Sequence, residues 1–170
     1  HKAGVTFVLD RAGVTGDDGP SHNGIWDLAL TGIVPTLHVA APRDGERVKE
    51  TLREALDISD APSLIRFPKG VVNPDIPAFE RRDGIDVLYR GESADVLLVS
   101  VGAMAAMAVE AASQAYREGV GVTVIDPRWV KPLPQSLVTM ATRYKSVVVL
   151  EDGIRHGGIA STISEMFRDA

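Results

Sequence analysis

Asp18 and His22 lie four residues apart across a Gly-Pro-Ser turn, with Arg11 just upstream, and their types and spacing make them the best candidates for chemistry in this sequence. A histidine near its ordinary pKa can move a proton at neutral pH, and an arginine fork matches a phosphate or carboxylate with two parallel hydrogen bonds. All three belong to one stretch, DRAGVTGDDGPSHNG from Asp10 to Gly24, directly after the apolar run VTFVL. Loops of that length are uncommon in compact domains and usually serve a function. Its glycines, Gly13, Gly16, Gly19 and Gly24, let the backbone turn with positive φ and let a ligand come near. From residue types alone, the stretch is a site for a small anionic substrate; the plainer alternative is a surface loop in which Asp17 and Asp18 bond their own backbone.

Other candidates are weaker. In IRFPKG, Arg66 and Lys69 would stand at the end of a strand, where two cations could neutralise a substrate phosphate. Ordinary surface charge explains Lys69 equally well and Arg66 better. Three aspartates and a histidine suit a hard cation, but no glutamate sits where the bidentate ligand of a calcium loop belongs, so no metal ligand is assigned. Gly157 and Gly158 before IAST make a weak phosphate-loop signal that helix packing explains at least as well. His38 falls inside a strand and reads as structural. His156, Glu151 and Asp152 sit in a loop at a strand end with nothing in sequence to pair with, and Trp26 and Trp129 read as core or interface anchors.

The elements that must position these groups alternate. Val5–Leu9 reads as a strand covered on both faces, as in a parallel sheet. After the loop come a short helix over IWDLALTG, a strand over TLHVAAP, and a helix to about Asp57. Asp44 is that helix's N-cap, with Val48, Leu52, Ala55 and Leu56 on its inner face. SLIRFPKG supplies the third strand. Residues 69–84, KGVVNPDIPAFERRDG, have two prolines and no period, and read as a linker. A second unit follows: a strand over ADVLLVSVG, a helix from about Ala103 to Glu118, a strand over VGVTVID, a proline-punctuated loop DPRWVKPLP, a helix to about Tyr144, the strand SVVVLED and a last helix from Gly158. Met104, Met107, Ala108, Ala111 and Ala115 are expected on the packed face of the alanine-rich helix. The expectation is therefore α/β, two parallel-sheet units joined by a linker, with ligands beyond the carboxyl ends of the strands.

Length and charge limit the alternatives. At 170 residues and 45% apolar, the chain can build a real core, and a net charge of −5 with signs interspersed offers no basic face for nucleic acid or anionic lipid. No apolar run is long enough to cross a bilayer. The absence of cysteine fits a reducing cytoplasm. HKAGVTFVLD lacks the apolar core of a signal peptide, and with no initiator methionine the chain reads as cut from something longer.

DRAGVTGDDGPSHNG, IRFPKG, GVTVIDPRWVKPLP and LEDG followed by GG resemble, in order and spacing, the 1-deoxy-D-xylulose 5-phosphate synthases, thiamine diphosphate enzymes of transketolase type. DRAG and RFPKG distinguish them from transketolase, which shares an Asp-Gly-Pro-Thr-His run. The resemblance implies the later half of a pyrimidine-binding domain over residues 1–68, a linker over 69–84 and most of the C-terminal domain over 85–170. It implies a transferase that joins pyruvate to glyceraldehyde 3-phosphate with loss of carbon dioxide, feeding isoprenoid and thiamine biosynthesis. Asp18 and His22 would face the intermediate and the acceptor oxygens, and Arg11 would bind the acceptor phosphate. Lys69 would assist it, standing where many members carry arginine. The cofactors implied are thiamine diphosphate and magnesium, whose binding motifs would lie outside this segment, and the partners implied are a second copy or the missing N-terminal part. Two rival readings are a non-catalytic fragment and a transketolase or keto-acid dehydrogenase relative.

Overall fold

A computed structural model describes residues 3–169; the outermost positions of the two expected domains, 1–2 and 170, lie outside the described residues. The first half forms β1 (Thr6–Leu9), α1 (Asp27–Gly32), β2 (His38–Ala40), α2 (Gly45–Asp57) and β3 (Ser63–Arg66). The second forms β4 (Glu80–Arg82), β5 (Ile85–Tyr89), β6 (Val96–Ser100), α3 (Ala105–Arg117), β7 (Val122–Asp126), β8 (Trp129–Lys131), α4 (Ser136–Ala141), β9 (Ser146–Leu150) and α5 (Ile159–Arg168). Two sheets result, ordered β1-β3-β2-β8 and β4-β5-β7-β6-β9.

The α/β alternation and the parallel centre of each sheet match the sequence reading. β1, β3 and β2 run parallel, as do β7, β6 and β9. Both sheets, however, are mixed. WVK is not loop but β8, antiparallel to β2, so a strand from the second half completes the first sheet. Lys131 explains its place: its ammonium donates to the carbonyls of Thr31 (3.0 Å), Gly32 (2.7 Å) and Val34 (2.6 Å) at the end of α1, where the helix dipole favours a cation. The last residues of the expected linker are β4, which forms an antiparallel hairpin with β5.

β1 is the edge of its sheet, with Phe7, Val8 and Leu9 exposed rather than covered on both faces. Two helices are also rotated from their expected faces. Asp44 does cap α2, accepting from the Arg47 amide at 2.8 Å, but Thr51 and Ala55 are the buried residues while Leu52 and Leu56 are exposed. The reason is the charged stripe Arg47, Glu50 and Glu54, which turns toward Arg81, Arg128 and the Trp129 indole. In α3 the inward residues are Ala105, Ala108 and Ala112, and Met107 points out. Alanines there let the helix axis approach the sheet closely.

A single apolar cluster runs through both halves, from Leu37, Val39 and Leu64 to Ile85, Val99, Ile125, Leu137 and Ile163. A buried ion cluster ties the same seam. Arg43 pairs with Asp86 and Asp126 at 2.7 Å each and donates to the Ile76 carbonyl.

Candidate functional site

β1 and β3 are parallel neighbours, so the residues following each leave the sheet at the same edge. The stretch after β1 therefore meets the stretch after β3, beginning with the Ala12 amide donating to the Phe67 carbonyl at 3.1 Å. Residues 10–24 are an ordered loop closed on itself. The Gly24 amide donates to the Gly13 carbonyl at 2.9 Å, and the Asn23 side-chain oxygen Oδ1 accepts from both the amide and hydroxyl of Thr15. Two 3₁₀ turns, Gly16–Asp18 and Pro20–His22, fill the interior. Gly24 is required for this closure, since a Cβ there would come within 2.4 Å of the Arg11 carbonyl.

That loop carries Asp18 to the end of β3. The Arg11 guanidinium donates Nε–H to Asp18 at 2.7 Å, and Lys69 pairs with the other carboxylate oxygen. Arg11 also reaches Asp10 at 2.9 Å. Hydrogen bonds from Lys69 and Arg11 hold the Asp18 carboxyl below its usual range. Two cations thus converge on one carboxylate. Both also line an open cleft of about 740 Å³, whose other walls include Phe67, Pro68, Gly45 and Ala103. A cleft of this size at the carboxyl ends of parallel strands suits a small molecule, and a phosphate entering it would compete with Asp18 for the same donors.

His22 lies one 3₁₀ turn beyond Asp18, exposed, with Nδ1 3.0 Å from the Ser21 hydroxyl. It shares the loop with Arg11 and Asp18 but makes no hydrogen bond to them or to Lys69. Arg66 is placed elsewhere. It is buried, donating to Asp27 at 2.7 Å and approaching Asp152 at 2.8 Å, so its guanidinium is committed to two carboxylates beneath the loop. Asp152 in turn packs against Gly13, where a Cβ would meet its carboxylate at 2.9 Å. Burial raises the Asp27 carboxyl, against the opposing pull of Arg66.

The glycines at 157–158 hold no vacant anion site. Glu151 places its two carboxylate oxygens on the Ile159 and Ala160 amides, both at 2.9 Å, and so occupies the start of α5 itself. Sequence spacing left Glu151 and Asp152 without partners; their partners come from α5 and β3, which only the fold brings near. Arg43 also escaped notice, because nothing in an AAPRDG turn signals a buried guanidinium.

Among the described residues no group of three or more His, Asp or Glu side chains is placed to hold a metal ion, and no helix is long and apolar enough to cross a membrane. The described residues therefore offer no carboxylate cluster for a magnesium ion.

Comparison with known proteins gives a consistent picture. A family model for the pyrimidine binding domain of transketolase matches residues 1–74, and one for the transketolase C-terminal domain matches residues 86–170. Relatives named 1-deoxy-D-xylulose-5-phosphate synthase include one from Mycolicibacterium vanbaalenii, 59% identical over 99% of this chain and 27% of its own length. Another, from Leifsonia xyli subsp. xyli, is 54% identical over 100% of this chain and 26% of its own. The chain thus spans about a quarter of the length of the curated relatives it matches. A solved structure described as a split gene transketolase, inactive beta4 tetramer, superposes with TM-score 0.83 at 29% identity, over 97% of this chain and 53% of that one. A Pichia stipitis transketolase variant superposes with TM-score 0.73 at 19% identity, over 98% of this chain and 28% of its own, which speaks to the fold alone. With a pyrimidine-binding and a C-terminal transketolase domain following one another along its length, the chain belongs to the transketolase family.

Proposed function

We propose that this chain forms the acceptor-binding side of the active site in a 1-deoxy-D-xylulose 5-phosphate synthase. The complete protein would be a transketolase-type transferase that condenses pyruvate with glyceraldehyde 3-phosphate, releasing carbon dioxide. The division into residues 1–68, 69–84 and 85–170 belongs to the same reading. So do thiamine diphosphate and magnesium held by parts of the protein outside this segment, a homodimeric assembly and a cytoplasmic setting.

The observation that carries the reading is the convergence of Arg11 and Lys69 on Asp18 beside the larger cleft. In it, Arg11 supplies a fork and Lys69 a point charge to the acceptor phosphate. Asp18 holds both cations in place before the phosphate arrives, then faces the acceptor's hydroxyl. His22, exposed at the loop tip, moves a proton at the acceptor oxygens. Relatives 55–59% identical over nearly the whole of this chain carry the synthase name, which supports this reading over transketolase itself.

Alanine at Asp18 or at His22 in the complete synthase is expected to lower kcat at least about a hundredfold, the usual scale for a group that transfers or orients a proton. Full turnover in both variants would reject these roles. A second reading, an association module without a reaction of its own, draws on the exposed apolar edge at Phe7 and Val8. It predicts that the purified chain forms oligomers and that adding both substrates yields no product.

A further inference from the structure

The side chains of residues 10–24 bond to one another and, through Asp18, to Lys69. What aims the loop is therefore its neck, residues 12–13 and 24–27, where it meets the rest of the molecule. Three segments close on that neck. The Ala12 amide reaches the Phe67 carbonyl just after β3, and the Ile154 amide, beyond β9, donates to the Ile25 carbonyl at 2.9 Å. Asp27, whose own amide donates to the Gly24 carbonyl at 3.2 Å, begins α1.

Arg66, the last residue of β3, lies at the centre of these segments. Its Nε–H donates to Asp27 at 2.7 Å, and its far nitrogen faces Asp152 at 2.8 Å. Asp152 in turn supports the loop's entrance, since a Cβ on Gly13 would fall 2.9 Å from its carboxylate. One guanidinium thus spans from the loop's exit, at Asp27, to its entrance, through Asp152. We infer that Arg66 and Asp152 are positioning residues of the Arg11–Asp18 site, their buried ion pair clamping both ends of the loop and so aiming those two side chains at the cleft. Their bearing on turnover rests on the acceptor reading of that loop.

The side chains of Arg66, Asp27 and Asp152 are only 2%, 7% and 12% exposed. The facing nitrogen of Arg66 and oxygen of Asp152 have no hydrogen bond to any other group among the described residues. Removing either partner would strand the other as a buried, unpaired charge. Apolar side chains of the same volume would avoid the desolvation such a cluster costs, so stability alone is a poor account of it. Fixed geometry at the neck is the better one. Because Asp152 follows β9, the clamp also makes the aim of a loop in the first half depend on the second half.

Two measurements test the clamp. Hydrogen exchange of the protein, read by mass spectrometry, should be at least about threefold faster across residues 10–24 in Asp152→Asn and in Arg66→Met, with α3 unchanged. Asp152→Asn preserves shape, so its circular dichroism should match the parent's. Arg66→Lys keeps the charge but loses the fork, and should exchange at a rate between the parent and Arg66→Met. In the complete synthase, Asp152→Asn should raise KM for glyceraldehyde 3-phosphate at least about fivefold, as loss of a hydrogen bond to a charged group does, and leave KM for pyruvate unchanged. Since the clamp acts through Arg11 and Asp18, combining it with Arg11→Ala should raise that KM by less than the product of the single effects.

Unchanged exchange across residues 10–24, an equal rise in α3, or single effects on KM that multiply would each overturn the inference. A raised KM in Arg11→Ala beside an unchanged one in Asp152→Asn also overturns it and leaves the acceptor reading standing. Should Arg11→Ala leave that KM unchanged, the acceptor reading fails instead, and the exchange rates alone decide the clamp.

Discussion

Asp18 serves two cations with one carboxylate, and its ionisation sets the state of the site. Lys69, and then Arg11, stabilise its charged form, so its pKa lies below the ordinary 3.8. The sign follows from linkage: the contribution of these pairs is present above the ordinary value and is lost only as pH falls through the lowered one. Between pH 5 and 8 the carboxylate is therefore a fixed charge. In Lys69→Met the largest support is gone, and the Asp18 carboxyl, followed by ¹³C NMR, should titrate at a higher pH than in the parent chain. An unchanged midpoint would mean that the pair does not hold the charge. A phosphate can displace Asp18 from its donors because both are oxyanions. Arg11 and Asp18 were readable as a site from their types within a glycine-rich stretch. Lys69 was expected at the same phosphate; that it pairs with Asp18 itself was not readable, because the two residues lie 51 positions apart and only parallel pairing of β1 with β3 joins them.

The helices near the site are held at one end by a charged side chain. Lys131 of β8 closes α1, Asp44 opens α2, and Glu151 opens α5. Removing a carboxylate cap costs about 0.5–2 kcal/mol, so Glu151→Ala should lower stability by that amount and Glu151→Gln by less, measured as the urea midpoint at neutral pH. No change in Glu151→Ala would show that other groups satisfy the α5 amides. Much of this layer was legible: the α/β order, the Asp44 cap and the parallel strands follow from apolar runs and cap residues. The face of α2 was not, because hydrophobic spacing ignores the inter-half ion pairs that pull Glu50 and Glu54 inward and leave Leu52 and Leu56 in solvent. WVK reads as loop beside its prolines, yet it becomes β8, since its partner β2 lies some 90 residues earlier in the chain. Three residues carry too little periodic signal to reveal such a pairing.

Across the whole molecule, the two halves share one core and one buried ion cluster, so they should lose structure together. Asp126 is fully buried, and burial pushes its carboxyl up to about 6 against the pull of Arg43. Below about pH 4 the folded and unfolded chains both hold its proton; between there and 6 only the folded chain does. Its contribution is thus complete at low pH and lost as pH rises through 6, a change of up to about 3 kcal/mol from the two pKa values. Asp86, which burial alone would raise, is instead held low by Arg81 and Arg43, and works in the opposite direction below pH 4. Asp126→Asn should therefore differ from the parent by an amount that changes between pH 4 and 6, read from urea midpoints; a constant difference would refute the raised carboxyl. The central claim, that the end of β1 and β3 receives the acceptor's phosphate, is tested most directly by steady-state kinetics of the complete synthase carrying Arg11→Ala or Lys69→Ala. The account predicts that KM for glyceraldehyde 3-phosphate rises at least about tenfold, as expected for a lost charged hydrogen bond, while KM for pyruvate stays the same. Equal rises for both substrates, or no rise for the phosphorylated one, would contradict it.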